Sequence, residues 1–309
     1  MKPSDIKYNL IVILGPTATG KTRFAAELAA RINGEIISAD SRQVYRKMDL
    51  GTGKDYNDYK IGNRIIPYHL IDLHDPGYKY NVFEYQQDFL KVFQEIKNKA
   101  EIPILCGGTG LYIEAVTKGY KLLSVPVNPE LREELRNKSL EELESILASY
   151  RRLHNRTDTD TRKRAIRAIE IEAFYQQHSR IISDYPDINP VYFGIQCHRE
   201  LRRKRITQRL HERLDLGMVD EVRHLLENGL TTEDLIYYGL EYKYITQYLT
   251  GRLDYDTMVS KLNIAIHQFA KRQMTWFRKM EREGTMIQWL NVETPVDENI
   301  EMVLDFIKI

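Results

Sequence analysis

The sequence predicts an α/β fold in which a parallel sheet lies between two layers of helices. Short runs such as Leu10–Leu14 (LIVIL) are apolar at every position, which is typical of strands buried on both faces. These runs alternate with helical stretches, which is the pattern of β-α-β units. After Pro126 and Pro129 the sequence becomes highly charged and helix-rich, which predicts a mostly helical insertion within that core.

The predicted elements follow one another along the chain of 309 residues. Strands are expected at residues 10–14, 36–38, 68–73, 103–106 and 191–196. Helices are expected at residues 22–31 and 82–98, just after residue 110, and at about 200–228 and 257–282. We therefore expect a core formed by residues 1–125 and 189–309, interrupted by a helical insertion at 126–188.

Charge and composition exclude several classes of protein. The chain has 45 Lys+Arg and 44 Asp+Glu, so its net charge of +1 indicates no particular partner. Residues 151–214 nevertheless hold fifteen Lys and Arg against eight Asp and Glu, which fits either a polyanion site or a solvated helix face. With Cys106 and Cys197 alone, a disulfide scaffold and a zinc site of paired cysteines are excluded. The sequence shows neither an apolar signal region nor an apolar run of membrane-spanning length, so we expect a cytoplasmic protein without membrane contact.

Residues 15–22 (GPTATGKT) match the phosphate-binding loop G-x-x-x-x-G-K-[ST] and lie between a predicted strand and a predicted helix, as that loop requires. Its glycines let backbone N–H groups point inward, while the helix N-terminus and a lysine add positive charge. The motif predicts a P-loop NTPase-like core that binds a di- or triphosphate. Kinases, ATPases and GTPases share this loop, and an enzyme whose leaving group is pyrophosphate would also use it. The residues expected to hold the phosphates are Gly15, Pro16, Thr17, Ala18, Thr19, Gly20, Lys21 and Thr22, with Mg²⁺ at the Thr22 hydroxyl.

Two further polar segments follow predicted strands. Asp40 comes directly after the strand at 36–38, at the edge of the sheet where ligands bind in open α/β folds. An acid at that position can ligate Mg²⁺, act as a base or cap a helix. Ser41, Arg42 and Gln43 carry hydrogen-bonding groups suited to a nucleic-acid base or a phosphate. Residues 107–110 (GGTG) follow the strand at 103–106, and Thr109 adds a hydroxyl there.

Several segments, taken together and in order, resemble the tRNA isopentenyltransferase family of prenyltransferases. They are GPTATGKT, ISADSRQVYRKMDLGT, YHLIDLHDP, GGTGLYIEAV, GMVDEVRHLLENG and AKRQMTWFR. The resemblance implies transfer of a dimethylallyl group from dimethylallyl diphosphate to the exocyclic amine of an adenosine, with release of diphosphate. That adenosine lies on the 3′ side of the anticodon in tRNAs that read codons beginning with U. The P-loop would then hold dimethylallyl diphosphate, with Mg²⁺ near Thr22, and the partner would be the anticodon stem-loop, bound by a monomer.

The resemblance also implies roles for individual residues. Asp40 matches the general base, and Thr109 and Arg223 match residues near the diphosphate and the reacting centre. Three stretches match tRNA-contacting segments, and one of them, at 163–167, lies in the basic stretch 151–214. Their members are Asp40, Ser41, Arg42 and Gln43; Lys163, Arg164, Ala165, Ile166 and Arg167; and Lys271, Arg272, Gln273, Trp276 and Arg278. For Trp276, packing in the core is the stronger expectation.

Other functions remain open at this point. An enzyme that prenylates free adenine nucleotide would share the loop, but a basic insertion is unnecessary for so small a substrate. A P-loop kinase or NTPase would share the fold, but Leu70-Ile71-Asp72 is a weak match to the acidic motif of such enzymes, and DSRQVY argues against them. An RNA-binding protein with a relic P-loop would not need the intact Lys21-Thr22 pair.

Overall fold

The computed structural model of the chain describes residues 8–99, 101–150, 159–178 and 185–307. The chain forms two compact units, one of Met1–Tyr120 with Asp187–Ile309 and a smaller one of Lys121–Pro186. Parts of the helix-rich stretch and of the basic segment predicted from the sequence, at 151–158 and 179–184, lie outside the described residues. None of the described helices is both long and apolar enough to cross a bilayer.

The larger unit contains a parallel six-stranded sheet, as the sequence predicts. Its strands, in the order in which they lie side by side, are β5 (Tyr68–His69), β2 (Gly34–Ser38), β6 (Ile102–Gly107), β1 (Leu10–Leu14), β7 (Pro190–Gln196) and β8 (Ile287–Asn291). Each neighbouring pair is parallel. A separate antiparallel pair consists of β3 (Lys60–Ile61) and β4 (Arg64–Ile65). The carboxyl ends of β1, β2 and β6, three adjacent strands, therefore meet at one edge of the sheet.

Helices cover both faces of this sheet. Those of the larger unit are α1 (Lys21–Ile32), α2 (Val82–Asn98), α3 (Gly110–Thr117), α7 (Arg199–Asp215), α8 (Met218–Glu227), α9 (Thr232–Tyr237), α10 (Leu240–Leu249), α11 (Tyr255–Arg282) and α12 (Val296–Ile307), and those of the smaller unit are α4 (Pro129–Leu135), α5 (Leu140–Tyr150) and α6 (Arg162–His178). Strand β1 shows why both layers exist. Val12 and Leu14 join the apolar cluster on one face and Ile11 and Ile13 the cluster on the other, because successive side chains of a strand point to opposite faces. The prediction of an α/β fold with a strand buried on both faces is confirmed.

Two element predictions are wrong in detail. The strand predicted at 68–73 ends at His69, since Leu70 and Asp72 have φ values of +62° and +57° in the left-handed region, which no strand accommodates. The helix predicted at about 200–228 is two helices, separated at Gly217, whose φ is +98°. Strand β8 and helix α12 were not predicted, although their packing completes one edge of the sheet.

The smaller unit is helical and has a core of its own. Leu135, Leu143, Leu147 and Ile169 are almost fully buried there. The charged Glu170 is buried among them, and it accepts two hydrogen bonds from Arg132, at 3.0 and 2.9 Å. Burial of a carboxylate is tolerated only when its charge is paired in this way.

Candidate active site

The phosphate-binding loop follows β1 and leads into α1. Ala18 and Gly20 both have φ in the left-handed region, at +63° and +77°, and Gly20 is the residue that precedes the first turn of the helix. The hydroxyl of Thr19 donates to the carbonyl of Pro16 at 2.9 Å and so closes the loop on itself. The backbone therefore curls as a phosphate cradle requires, with the amino end of α1 directed at it.

Lys21 is the first residue of α1 and contributes the full positive charge of the loop. Burial lowers the pKa of its ammonium group, and the nearby carboxylates of Asp40 and Asp58 oppose that effect, while the guanidinium of Arg209 adds to it. A cation that is partly withdrawn from water in this way is stabilised by an anion placed beside it. The electrostatics of the loop thus favour an anionic ligand.

The second and third polar segments lie together at the carboxyl ends of β2 and β6. The backbone N–H of Ser41 donates to the Thr109 hydroxyl at 3.2 Å, and the N–H of Thr109 donates to the carbonyl of Ala39 at 3.2 Å. Asp40 accepts the N–H of Arg42 through Oδ1 at 2.8 Å, so it caps a turn and no helix. These contacts put Asp40 and Thr109 on neighbouring segments, beside the loop that carries Lys21.

Gln273 on α11 connects two of these segments. Its side-chain carbonyl accepts the backbone N–H of Thr17 at 2.8 Å, and its amide donates to the carbonyl of Gly108 at 3.0 Å. The approach is so close that a Cβ at Gly108 would lie 2.3 Å from the amide nitrogen. The prediction that Gln273 contacts tRNA needs correction, because the side chain is buried and both ends of its amide are used inside the unit.

The other α11 residues divide into buried and exposed groups. Trp276 packs on Gly110 and donates from its indole to the buried Glu114 at 2.6 Å, in line with the expectation of core packing. Lys271, Arg272 and Arg278 lie on the exposed surface of the same helix. The indole is therefore held by the fold, while the three cations remain accessible to a polyanion.

Two further predicted tRNA contacts have partners within the larger unit. The Gln43 side chain donates to the carbonyl of Gly53 at 3.1 Å and accepts from the Ser38 hydroxyl at 3.2 Å. The guanidinium of Arg42 lies 5.1 Å from the centre of the Tyr237 ring. Gln43 thus orders the loop, whereas the planar pair of Arg42 and Tyr237 resembles the cation–π arrangements that also receive nucleic-acid bases.

Arg223 lies on the exposed side of α8, where it forms an ion pair with Asp220. Glu221, two residues before Arg223, accepts backbone N–H groups of Asp49, Leu50 and Gly51 at 2.8–3.0 Å. Glu221 therefore joins α8 to residues 49–51, which follow Asp40 in the chain. Arg223 forms its ion pair with Asp220 on the surface of the same helix.

A small cavity of about 30 Å³ lies beside the P-loop. Residues of the loop line it together with residues of α7, α8, α10 and α11, and both apolar and charged side chains reach it. The lining residues are Thr17, Ala18, Ile206, Arg209, Leu210, Arg213, Met218, Glu241 and Ile266. Burial raises the pKa of Glu241 and lowers that of Arg209, and the nearby Arg213 lowers the latter further.

Sequence reasoning missed the two arginines of this cavity, although a signal for them exists. Arg209 and Arg213 are four residues apart on a helix that also carries Ile206 and Leu210 at helical spacing. An i, i+4 pair of like charges beside an apolar stripe is unfavourable on an isolated helix. Such a pair therefore indicates an anionic partner elsewhere in the fold.

No cluster of three or more His, Cys, Asp or Glu side chains that could hold a metal ion occurs in the parts of the chain that the structure describes. Thr22, at the start of α1, is the oxygen donor expected for Mg²⁺. A Mg²⁺ ion at this loop would therefore need phosphate oxygens and water as further ligands, which is the usual arrangement for phosphate-bound Mg²⁺.

In the smaller unit, the residues predicted to contact tRNA lie in the first turns of α6. Lys163 and Arg164 are exposed, and Arg164 pairs with Asp160 at 2.9 Å. Arg167 pairs with the buried Glu170 and donates to the carbonyl of Val125 at 2.8 Å. The predictions for Ala165 and Ile166 need correction, because Ala165 is fully buried and Ile166 packs against the same core.

A P-loop at the carboxyl edge of a parallel sheet, beside a cavity lined by cationic and apolar side chains, defines a P-loop α/β protein. An IPP transferase family model matches residues 43–280, and an isopentenyl transferase model matches residues 8–69. The chain therefore belongs to the IPP transferase family, which confirms the resemblance seen in the sequence.

Individual relatives are similar over nearly the whole chain. A tRNA dimethylallyltransferase 1 of Parabacteroides distasonis is 64% identical over 293 residues, covering 95% of both chains. A tRNA dimethylallyltransferase 2 of Bacteroides fragilis is 61% identical over 301 residues, covering 97% of this chain and 98% of the relative. The solved tRNA isopentenylpyrophosphate transferase of Bacillus halodurans aligns with a TM-score of 0.69 at 31% identity, over 97% of this chain and 95% of that one.

Proposed function

We propose that this chain transfers a dimethylallyl group from dimethylallyl diphosphate to the exocyclic amine of the adenosine on the 3′ side of the anticodon, in tRNAs that read codons beginning with U, and releases diphosphate. The observation that supports this most directly is the mixed wall of the cavity beside the P-loop. Arg209 and Arg213 suit a diphosphate, while Ile206, Leu210 and Met218 suit a short hydrocarbon. The names of the most similar relatives agree with this substrate pair.

The reaction breaks the bond between the allylic carbon and the diphosphate oxygen and forms a bond from that carbon to the adenine nitrogen. Negative charge grows on the departing diphosphate, where the loop N–H groups and Lys21 stabilise it. The amine loses a proton, for which Asp40 is the proposed acceptor, oriented by its turn and by the Thr109 contact to the next residue. Arg223 is retained as a proposed diphosphate contact, which requires it to exchange Asp220 for the ligand.

Mg²⁺ fits the donor set of the loop and is the proposed cofactor. The hydroxyl of Thr22 and oxygens of the diphosphate would hold it, and it would supply charge neutralisation at the leaving group. Among the residues of the chain, Lys21 and the loop amides would neutralise the same charge. The P-loop in this proposal binds the prenyl donor instead of ATP.

Binding of the anticodon stem-loop is assigned to the exposed cations. In the larger unit these are Lys271, Arg272 and Arg278, and in the smaller unit Lys163 and Arg164. Phosphate contacts of this kind carry affinity, while Ser41 and Arg42, which follow Asp40 in sequence, are the residues proposed to read an extruded base. The enzyme is proposed to act as a monomer in the cytoplasm.

One assay tests the function. The protein is incubated with Mg²⁺ and labelled dimethylallyl diphosphate, together with either tRNA or AMP. Label in tRNA alone is the expected result. Label in AMP but not in tRNA would identify a nucleotide prenyltransferase, and turnover of ATP without prenyl transfer would identify a kinase or NTPase. Either of these would overturn the proposal.

A further inference from the structure

The first two turns of α7 carry a concentration of positive charge that no step of the proposed reaction uses. Residues 199–205 hold five of the fifteen Lys and Arg of the basic segment 151–214, against a single Glu. Three of the five side chains are exposed and two are half-buried. The exposed ones are Arg199, Arg203 and Lys204, and the half-buried ones are Arg202 and Arg205.

These cations have no acidic partner within the described parts of the chain. Further along the same helix the situation differs, because Arg209 and Arg213 both pair with Asp55, at 2.9 and 3.2 Å. Within residues 199–205 the arginines are spaced three and four positions apart, so like charges are neighbours on the helix surface. The amino end of a helix also carries partial positive charge, which disfavours cations there. Both effects are relieved by an anion from outside the chain.

The start of α7 packs beside α11. The hydroxyl of Thr207 donates to Oδ1 of Asn263 at 3.1 Å and lies 3.4 Å from Nε2 of His267. Arg203 precedes Thr207 by one turn and therefore lies on the same face of α7. Burial lowers the pKa of His267, and the charges of Arg203 and Arg202 lower it further. These two arginines thus lie next to the face of α11 that carries His267.

That face of α11 continues to cations that are already assigned to tRNA. Lys271 lies one turn beyond His267, and Arg278 lies on the same face, because positions i, i+4 and i+11 of a helix project in nearly the same direction. Both side chains are exposed. We call this surface the α7–α11 strip, and its members are Arg202, Arg203, Lys271 and Arg278.

The length of the strip favours a polymeric anion. From His267 to Arg278 the helix rises roughly 16 Å, which is more than a single diphosphate spans. An RNA backbone places phosphates along such a length, and guanidinium groups bind phosphate oxygens through paired hydrogen bonds. Because Lys271 and Arg278 lie on the same strip, the partner assigned to them fits Arg202 and Arg203 as well.

We propose that Arg202 and Arg203 bind backbone phosphates of the tRNA and so extend the RNA-binding surface of α11 onto the start of α7. This inference rests on the proposed function, because it takes the partner of Lys271 and Arg278 to be tRNA. Contacts to phosphate position the RNA and add affinity without reading its sequence. The two arginines are therefore binding residues that take no part in the chemical step.

The test measures the Kd of the full chain for a substrate tRNA over a range of salt concentrations, by fluorescence anisotropy. The double variant Arg202→Gln/Arg203→Gln should bind about tenfold more weakly at moderate salt. It should also lower the slope of log K against log salt by about two units, one for each phosphate contact. Its affinity for inorganic pyrophosphate with Mg²⁺, measured by calorimetry, should not change, because the strip does not serve the diphosphate.

Lys204→Gln is the matched control. Lys204 is an exposed cation of the same helix, but it projects about 100° away from Arg203 and so lies outside the strip. Its loss should change the Kd for tRNA by less than about twofold. An equal loss of affinity in Lys204→Gln would show that only net charge matters, which would overturn the inference.

Unchanged tRNA affinity and salt slope in the double variant would overturn the inference as well. A loss of pyrophosphate affinity without any change for tRNA would assign the arginines to the prenyl donor, with the same consequence. If circular dichroism shows that the double variant does not fold, Arg202→Gln and Arg203→Gln are measured singly, each with an expected slope change of about one unit.

Prenyl transfer by the wild-type protein separates this inference from the proposed function. If the wild-type protein modifies tRNA while the double variant binds tRNA normally, only the α7 contact is rejected. If the wild-type protein does not modify tRNA, the proposed function is rejected and the inference with it.

Discussion

The side-chain carbonyl of Gln273 accepts the backbone N–H of Thr17 at 2.8 Å, which fastens α11 to the phosphate-binding loop. The same amide donates to Gly108, at the end of β6. One buried side chain therefore sets the distance between the loop that holds the diphosphate and the turn that carries Thr109. Residues of the site that are far apart in sequence owe their relative positions to this bond.

Substitution of Gln273 by Leu should lower both stability and activity. The change leaves the part-buried N–H of Thr17 without this acceptor, at a cost of about 1–3 kcal/mol. The free energy of unfolding in urea measures the first effect, and kcat/KM for the prenyl donor should fall at least about tenfold because the loop loses its position. Gln268→Leu, at an exposed position of the same helix, should change neither; a similar loss there would show that the helix surface, and not this bond, is responsible.

Substitution of Asp40 by Asn should lower the rate of the chemical step by about 10²–10⁴, the usual contribution of a general base. Asparagine keeps an oxygen that can accept the Arg42 N–H, so the turn is retained while the proton acceptor is lost. Single-turnover kinetics with saturating donor measure the step, and the Kd for tRNA should stay unchanged. Turnover at the wild-type rate would show that another group removes the proton.

Affinity for diphosphate should begin to decline at a lower pH than it would if the site depended on an exposed lysine. Burial lowers the pKa of Lys21, and only its protonated form attracts the diphosphate, so binding weakens as pH rises through that lowered pKa. The stability of the ligand-free protein should change in the opposite direction. Because the unfolded chain keeps this proton to higher pH, the free energy of unfolding rises over the same interval. Calorimetry of pyrophosphate binding between about pH 7 and 10 measures the decline, given that a free lysine titrates near 10.4. In Lys21→Arg the charge persists and the decline should move to higher pH; an identical profile would assign it to another group.

Affinity for tRNA should fall steeply with salt, and removal of single cations should reduce that slope. Each lysine that neutralises one phosphate contributes roughly one unit to the slope of log K against log salt. Lys163→Ala and Lys271→Ala should each lower the slope by about that amount and weaken binding to all substrate tRNAs alike. Lys91→Ala, at an exposed position on α2, is the control. A salt-independent affinity in the wild-type protein would contradict the assignment of these cations.

Much of the fold could be predicted because its signals are local. The run LIVIL, the P-loop that follows it and the helix predicted at 82–98 each occupy one stretch of sequence, and the structure has β1 at Leu10–Leu14 and α2 at Val82–Asn98. The errors occurred where a single backbone conformation decides the element. The left-handed residues Leu70 and Asp72 end a strand whose side-chain pattern continues, and nothing in that pattern shows the change.

By itself the sequence determined the α/β class, the phosphate-binding loop and, through its ordered motifs, the family. Local periodicity and loop chemistry suffice for these, since strands, helices and a P-loop each depend on neighbouring residues. Only the tertiary structure decided that Gln273 bonds to the backbone of two loops, that Trp276 packs on Gly110, and that Asp55 forms ion pairs with the arginines of α7. Such contacts join residues that are distant along the chain, so their partners are selected by how helices pack on the sheet and not by any pattern within one segment.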